Sequence, residues 1–415
     1  MIDLVDLMLS VLYLITLFYT VFWLVTYIEE KGSRSSKLRR YPFVSVAIPA
    51  YNEERTILKT ITSVINLDYP KDKLEIIVIN DGSTDSTKEI VECFIKANKA
   101  PIKFISQENH GKWYAMNRAL KIARGEFFAS LDADSFVQED ALKKMLPHFR
   151  EKRVAAVLPL LKIKDPKTLL QKVQWYEYLV NMFYKKLLSF LNCIHVTPGP
   201  FAIYRKEVIE ELGAFRKGHY TEDLEMALRL QKNNYRIVQL MDAEVYTNSP
   251  DNIKALYKQR NRWNRGSVLN VWDYKKMIFN RNYGDFGMFQ MPIVLSAGFI
   301  ALFLVFFILY RTVAKPFLIT LHNLSLVNFD IFTFIRDLKI NFLFLDLDYY
   351  KVMIMVGMFV ISLIVLVMAH RYTKERIAKQ GIFSLLAFLF LYYLFLGVVW
   401  CGIVRDLVFR RKEQW

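Results

Sequence analysis

Asp132 and Asp134, separated only by Ala133, form a pair of hard oxygen donors of the type that holds Mg2+ or Mn2+ against phosphate. Asp81 opens the run Asp81-Gly82-Ser83-Thr84-Asp85, a turn-forming stretch that can receive a base and ribose. Thr221-Glu222-Asp223 sets two acids side by side, and one of them could accept a proton. Gln259-Arg260-Asn261-Arg262-Trp263 joins a guanidinium, which can neutralise a departing phosphate, to an indole, whose flat face suits a sugar ring. Sugar transfer from a nucleotide sugar needs these functions together. The diphosphate must be neutralised, the acceptor hydroxyl must lose its proton, and the two sugars must be held in line. Each run also has a structural reading. The acid pair suits a solvated turn, Asp85 a cap on the next helix, Thr221 a helix start, Lys112 a solvated helix face, and Arg-Trp an interfacial anchor. Asp81 and Asp85 are different acids, so cap and site can coexist.

The elements that must carry these residues alternate. Residues 43–49, 74–80, 102–106 and 126–131 are apolar runs of strand length, and 53–66, 86–98 and 112–123 are helical in pattern. Such alternation predicts an α/β fold with a mostly parallel sheet and helices on both faces. Ligands in open sheets of this kind bind beyond the carboxyl ends of the strands, where Asp81, Asp132 and Asp134 fall. No GxGxxG and no Walker A sequence is present, which argues against dinucleotide oxidoreductases and P-loop enzymes.

The chain has 415 residues, 53% of them apolar, and a formal net charge of +16. Uncharged runs occupy residues 7–28, 287–310, 352–369 and 381–404. Each has the length of a bilayer-crossing helix, for which about 20 apolar residues are needed. The first run is too long for a signal peptide and lacks a basic flank before it. The basic stretch 31–40 predicts a cytoplasmic location for the segment after it, by the positive-inside rule. The positive charge suits segments held at an anionic membrane face better than a nucleic-acid groove. Residues 168–191, dense in aromatics and lysines, read as an amphipathic helix at the interface or as a plain surface helix; residues 252–266 and 267–277 are further interfacial candidates. Residues 316–335 form an imperfect fifth span or an interfacial segment, so four or five spans remain open. Cys93, Cys193 and Cys401 show no metal spacing and no disulfide framework. The expected organisation is a first span over 1–30, a cytoplasmic domain over 42–266, an interfacial linker over 267–286, a membrane region over 287–404 and a basic tail over 405–415.

The order and spacing of the four runs, with the flanking spans, resemble the membrane-embedded inverting glycosyltransferases of family 2, which include the cellulose, hyaluronan and poly-N-acetylglucosamine synthases. The resemblance covers about residues 42–266 and implies a GT-A-like domain joined to an α-helical transmembrane region with interfacial amphipathic helices. It implies a UDP-sugar donor and Mg2+ or Mn2+, with Asp134 as metal ligand and Asp132 at the ribose or the metal shell. Asp81 would contact the uridine. Pro49, Tyr51 and Glu53 resemble the first nucleotide loop, and Lys112 in Asn109-His110-Gly111-Lys112 lies in a loop near the nucleotide. Asp223, beside Glu222, would be the general base of a single displacement that inverts the anomeric centre. Arg262 and Trp263 would serve the diphosphate and the acceptor, and Gln259 with Thr197 and Gly199 would face the acceptor. Two activities fit this pattern: processive extension of a polysaccharide, and transfer of one sugar to a membrane lipid, since glucosylceramide synthases carry a similar motif. A membrane scaffold without catalysis is a third class, disfavoured by the intact acids. No nucleic-acid partner and no cyclic-dinucleotide receptor domain is expected. The catalytic domain is expected on the cytoplasmic face of the cell membrane. Oligomeric state and sugar identity stay open.

Overall fold

The computed structural model of the chain describes residues 4–29, 38, 40–326, 328–329 and 349–409. Most of the basic stretch 31–40, residues 327 and 330–335 of the imperfect span 316–335, and tail residues 410–415 lie outside the described residues.

Strands β1 (Val44–Ala50) and β2 (Leu74–Asp81) are buried almost end to end. That is why they read as continuous apolar runs and not as alternating ones: helices cover both faces of a parallel sheet. β3 (Ile102–Gln107) pairs in parallel with β2, and β1 pairs in parallel with β2 on one side and β4 (Phe127–Ser130) on the other. The chain thus moves outward from β1 to β3 and then returns to the far side of β1. This reversal makes the β1–β4 boundary a topological switch point, where the carboxyl ends of strands open a crevice.

The remainder of the sheet is mixed. β5 (Ser135–Val137), β6 (Val154–Ile163), β7 (Ala202–Arg205) and β8 (Arg236–Thr247) complete eight strands in the order β3-β2-β1-β4-β7-β6-β8-β5. β7 runs antiparallel to both β4 and β6, while β6 and β8 are parallel. The sequence pattern does not reveal these four strands. β6 is buried at every position, so it carries no two-residue alternation, and β5 and β7 are only three and four residues long.

Helix α2 (Ile57–Ile65) buries Ile57, Thr60, Ile61 and Val64, one face of a helical repeat. It starts four residues later than the pattern predicts, because the Glu53 carbonyl accepts from Thr56 N and Ile57 N in a turn that precedes it. Helices α3 (Thr87–Asn98) and α4 (Lys112–Ile122) match the expected positions. Short α5 (Ala141–Met145) follows β5. Helix α6 (Leu169–Phe190) begins with a reciprocal capping box between Thr168 and Gln171. It is buried along most of its middle and packs on β6, β8 and the membrane-length helix that ends at Thr373. It is therefore neither a free interfacial helix nor a plain surface helix. After α7 (Lys206–Glu211) and α8 (Glu222–Lys232), one continuous helix, α9, spans Ile253–Asp273. The boundary expected between residues 266 and 267 falls inside it.

Three helices among the described residues are long and apolar enough to cross a membrane: Phe286–Phe307, Val352–Thr373 and Ile382–Val408. The first apolar run forms the helix Leu4–Glu29. The loop between the second and third of these is fastened to the sheet domain. Lys162 at the end of β6 pairs with Glu375 at 3.0 Å, and Tyr176 Oη donates to the Ile377 carbonyl.

Candidate active site

Loops from β1, β2 and β4 meet at the switch point. Asn52, in the left-handed region at φ 56°, accepts through Oδ1 from Thr84 N at 2.8 Å, and its own N–H donates to Ser83 Oγ. Glu54 N donates to Asp85 Oδ2, and Thr87 Oγ1 accepts from Glu53 N. Asp85 also accepts from the N–H and hydroxyl of Thr87, so it caps the start of α3 as its turn context suggests. These bonds join the loop after β1 to the Asp81–Asp85 turn and leave the Tyr51 ring 48% exposed.

Asp81 is buried, and its carboxylate accepts from Gln107 Nε2 at 2.6 Å, His110 N at 3.1 Å and Gly111 N at 2.9 Å. It thereby fixes the loop that carries Lys112. Gly82, at φ +72°, sits so close to that loop that a Cβ would lie 2.6 Å from Asn109 N. Only glycine meets both conditions.

Lys112 is the central cation. Its Nζ lies 2.5 Å from Asp132 and 3.1 Å from Glu222. Burial alone would lower its pKa, but Asp132, Glu222 and Asp223 outweigh burial and hold it well above the ordinary lysine value. Gly199 lies against this pair: a Cβ there would approach the Asp132 carboxylate oxygens to 2.7 and 2.8 Å and overlap Lys112 Nζ. Asp134 is pushed up to about 7, first by burial and then by facing Asp132 and Glu53. Glu53 is likewise raised, by burial foremost and by Asp132. Among the described residues no three ligating side chains gather tightly enough to enclose an ion alone. Asp134 and Asp132, the latter sharing Lys112 with Glu222, fit Mg2+ or Mn2+ whose remaining ligands are phosphate oxygens and water. The main-chain turn that presents them is held by Thr60 Oγ1, which donates to the Ala133 carbonyl at 2.7 Å.

Asp223 stands on the first turn of α8. Burial, then its neighbour Glu222, push its carboxyl up to about 6, against the opposing charge of Lys112. Glu222 is paired to Lys112, whereas Asp223 has no ion pair among the described residues and accepts only from its neighbouring Leu224 N–H at 2.9 Å. The carbonyl of Asp223 accepts from Thr197 Oγ1 at 2.7 Å, and Tyr204 Oη donates to that same Thr197 oxygen. Thr197 is fully buried. Its expected place facing the acceptor is thereby corrected: its hydroxyl positions the backbone of Asp223. Thr221 donates to the Gly218 carbonyl and does not cap α8 with its side chain.

Helix α9 rests on the turn that carries Asp223. Asn270 Nδ2 donates to Gly218 O and Thr221 Oγ1, and a Cβ on Gly266 would come within 2.6 Å of Thr221 Oγ1. Gly266 lies one turn beyond Arg262 and Trp263 on α9. Gln259, Arg262 and Trp263 are partly exposed. Arg260 and Asn261, given no role from the sequence, are both buried. Residues outside the motifs also reach the site. Tyr178 on α6 is pushed up to about 12, first by burial, and it senses Asp132, Asp134 and Arg260. Lys185 on α6 is drawn down to about 8 by burial, opposed by Asp223. His195 is drawn down to about 4, by burial and then by Lys185, and its Nδ1 lies 3.0 Å from Gln290 Nε2. No motif marked these three; the aromatic and lysine density of α6 was the only signal for Tyr178 and Lys185, and His195 lies beyond that helix.

Residues 45–213 match the family model Glycosyl transferase family 2. That stretch holds Asp81, Lys112, Asp132, Asp134 and Gly199, and ends before Asp223 and α9. The chain is 32% identical over 263 residues to a poly-beta-1,6-N-acetyl-D-glucosamine synthase of Staphylococcus epidermidis, covering 60% of this chain and 63% of that protein. It is 31% identical over 262 residues to the synthase of the same description from Staphylococcus aureus, with the same coverage of each chain. It therefore spans about 63% of the length of these relatives. A mannosyltransferase of Pyrobaculum calidifontis, solved with GDP-Man and Mn2+, superposes with a TM-score of 0.62 at 18% identity, over 99% of this chain and 100% of that one. At that identity the likeness concerns the fold, a GT-A sheet with attached helices. Sheet topology, clustered acids and sequence match agree on residues 45–213, which match the glycosyl transferase family 2 model in a chain that also holds helices of membrane-crossing length.

Proposed function

We propose that this protein is a processive membrane β-glycosyltransferase that extends a polysaccharide from a UDP-sugar at the cytoplasmic face. The relatives' names point to N-acetylglucosamine as the sugar. The observation that carries the reading is the division of labour between two adjacent acids. Glu222 pairs with Lys112 at 3.1 Å, while Asp223 has no ion pair among the described residues and its carboxyl is pushed up to about 6, first by burial.

In this reading the Asp223 carboxylate takes the acceptor hydroxyl proton as that oxygen attacks the anomeric carbon and the bond to the diphosphate breaks. A carboxyl raised toward neutrality is a stronger base than an ordinary aspartate, and it remains ionised at pH 7. Lys112, held at the cleft by Asp132 and Glu222, and Arg262 on α9 lie on the side of the leaving diphosphate. Asp134 and Asp132 would hold Mg2+ or Mn2+, which supplies charge neutralisation to the diphosphate when bound. Pro49, Tyr51, Glu53 and Asp81 frame the nucleotide, while Gln259, Gly199 and Trp263 frame the acceptor.

The test uses the full chain in lipid nanodiscs with Mn2+ and a panel of UDP-sugars, following UDP release and product size. A long polymer from UDP-N-acetylglucosamine supports the reading. A product one sugar heavier than a lipid would replace it with single transfer to a membrane acceptor.

A further inference from the structure

Arg260 lies between the two motif residues that face the acceptor, and it is 2% exposed. Its guanidinium makes a three-way junction. Nη2 lies 2.5 Å from Glu177 Oε2 on α6, Nε donates to Tyr392 Oη at 3.2 Å, and Nη1 donates to Gln259 Oε1. The same guanidinium lies over the Trp263 ring, 4.3 Å from its centroid. One side chain therefore holds Gln259 and Trp263 on its own helix and ties both to α6 and to the membrane-length helix Ile382–Val408.

Two neighbouring contacts repeat this tie. Asn261 Nδ2 donates to Asp406 Oδ2 at 3.3 Å. Gly402 lies against the Tyr257 ring so closely that a Cβ would overlap its hydroxyl. Tyr392 ends a π-helical turn, Phe388–Tyr392, that interrupts the membrane-length helix; such turns recur at functional positions. A buried charge requires full pairing to be tolerated, and a forked guanidinium has donors in fixed directions. An interior of leucines would pack α9 as well but would not set the orientation of an amide and an indole.

We propose that Arg260 is a positioning residue that presets Gln259 and Trp263 against the helix Ile382–Val408, so that retention of the acceptor between transfers depends on it while sugar transfer itself does not. The proposal rests on the glycosyltransferase reading above. It reaches beyond it by assigning a role to a motif position that the sequence pattern left without one.

The experiment uses the full chain in nanodiscs with UDP-N-acetylglucosamine as donor and a β-1,6-linked N-acetylglucosamine pentamer as acceptor. Arg260→Met alone leaves Glu177 buried without its cation, which threatens the fold. The double variant Arg260→Met/Glu177→Gln removes the pair without stranding a charge, and Tyr392→Phe removes one arm. For the double variant we expect acceptor KM to rise by about tenfold and product length to fall in step, with donor KM and kcat within about twofold of wild type. Arg260→Lys keeps the charge opposite Glu177 but cannot also reach Tyr392 and Gln259, so it is expected to shorten the product too. Equal losses in donor KM, kcat and acceptor KM would reduce Arg260 to a structural strut and overturn the proposal. So would unchanged acceptor KM, or full rescue by lysine. A wild type that adds a single sugar would overturn the processive reading instead, and acceptor KM would still decide the role of Arg260.

Discussion

Asp223 and Glu222 are adjacent in the chain and identical in charge, yet their surroundings give them different tasks. Lys112 neutralises Glu222, and burial beside it raises Asp223. Asp223→Asn is therefore expected to lower kcat by about a hundredfold or more while UDP binding persists. Calorimetric titration of UDP beside a turnover assay checks this. A pKa raised in the fold means that the folded protein keeps the proton up to about pH 6, whereas an ordinary aspartate loses it near pH 4. The ionised carboxylate thus costs stability above pH 6. The same substitution should raise the unfolding midpoint at pH 7.5 and leave it nearly unchanged at pH 4. For catalysis the sign is reversed, because the base must be ionised. Below pH 6 the rate should fall by about tenfold per unit in a pH–rate profile. Gly199 offers a second residue-scale test. Gly199→Ala pushes a methyl between Lys112 and Asp132, two mobile side-chain ends that can yield. The protein should fold, with donor KM raised several-fold and metal requirement increased, as read from an Mn2+ titration of UDP release.

At the scale of elements, the site is a meeting of strand ends with one long helix. β1, β2 and β4 end at the same edge because they run parallel, and the order reverses between β1 and β4. This much was legible. Strongly apolar runs, each followed at once by Asp81 or Asp132, have one common reading in an α/β sheet. The mixed half was not legible: β5 and β7 are only three and four residues long, and the pairing directions of β6, β7 and β8 rest on partners distant in the chain. Nor was α9 as one helix. Its apolar stripe is poor because its buried positions include Arg260, Asn261 and Asn270, whose partners are far away in sequence. Trp263→Ala should raise acceptor KM more than donor KM, since an indole face suits a sugar ring and the proposed function assigns Trp263 to the acceptor. Equal loss of both in steady-state kinetics would make Trp263 a structural anchor.

At the scale of the whole molecule, the sheet domain is fastened to the helical region by polar contacts. Lys162 bridges Glu244 and Glu375, and Tyr176 reaches the loop beyond them. If the sheet domain is cytoplasmic, as proposed, Cys93 on α3, which is exposed, should react with a membrane-impermeant maleimide in inverted vesicles and be protected in right-side-out ones. The buried Cys193 should stay unlabelled in both until the protein is unfolded. Labelling from the outside would reverse the proposed orientation. The sequence alone determined the chemistry on offer: which acids, which cation, which indole, and that apolar runs of bilayer length accompany them. Those are properties of residue type and local period, which neighbours in the chain define. Only the tertiary structure decided which of two adjacent acids pairs with Lys112, that Thr197 braces Asp223 from within, and that Arg260 joins Gln259 and Trp263 to a membrane-length helix. Each of those depends on burial and on partners distant in the chain, and hydrogen bonds and desolvation exist only once the chain has closed around them.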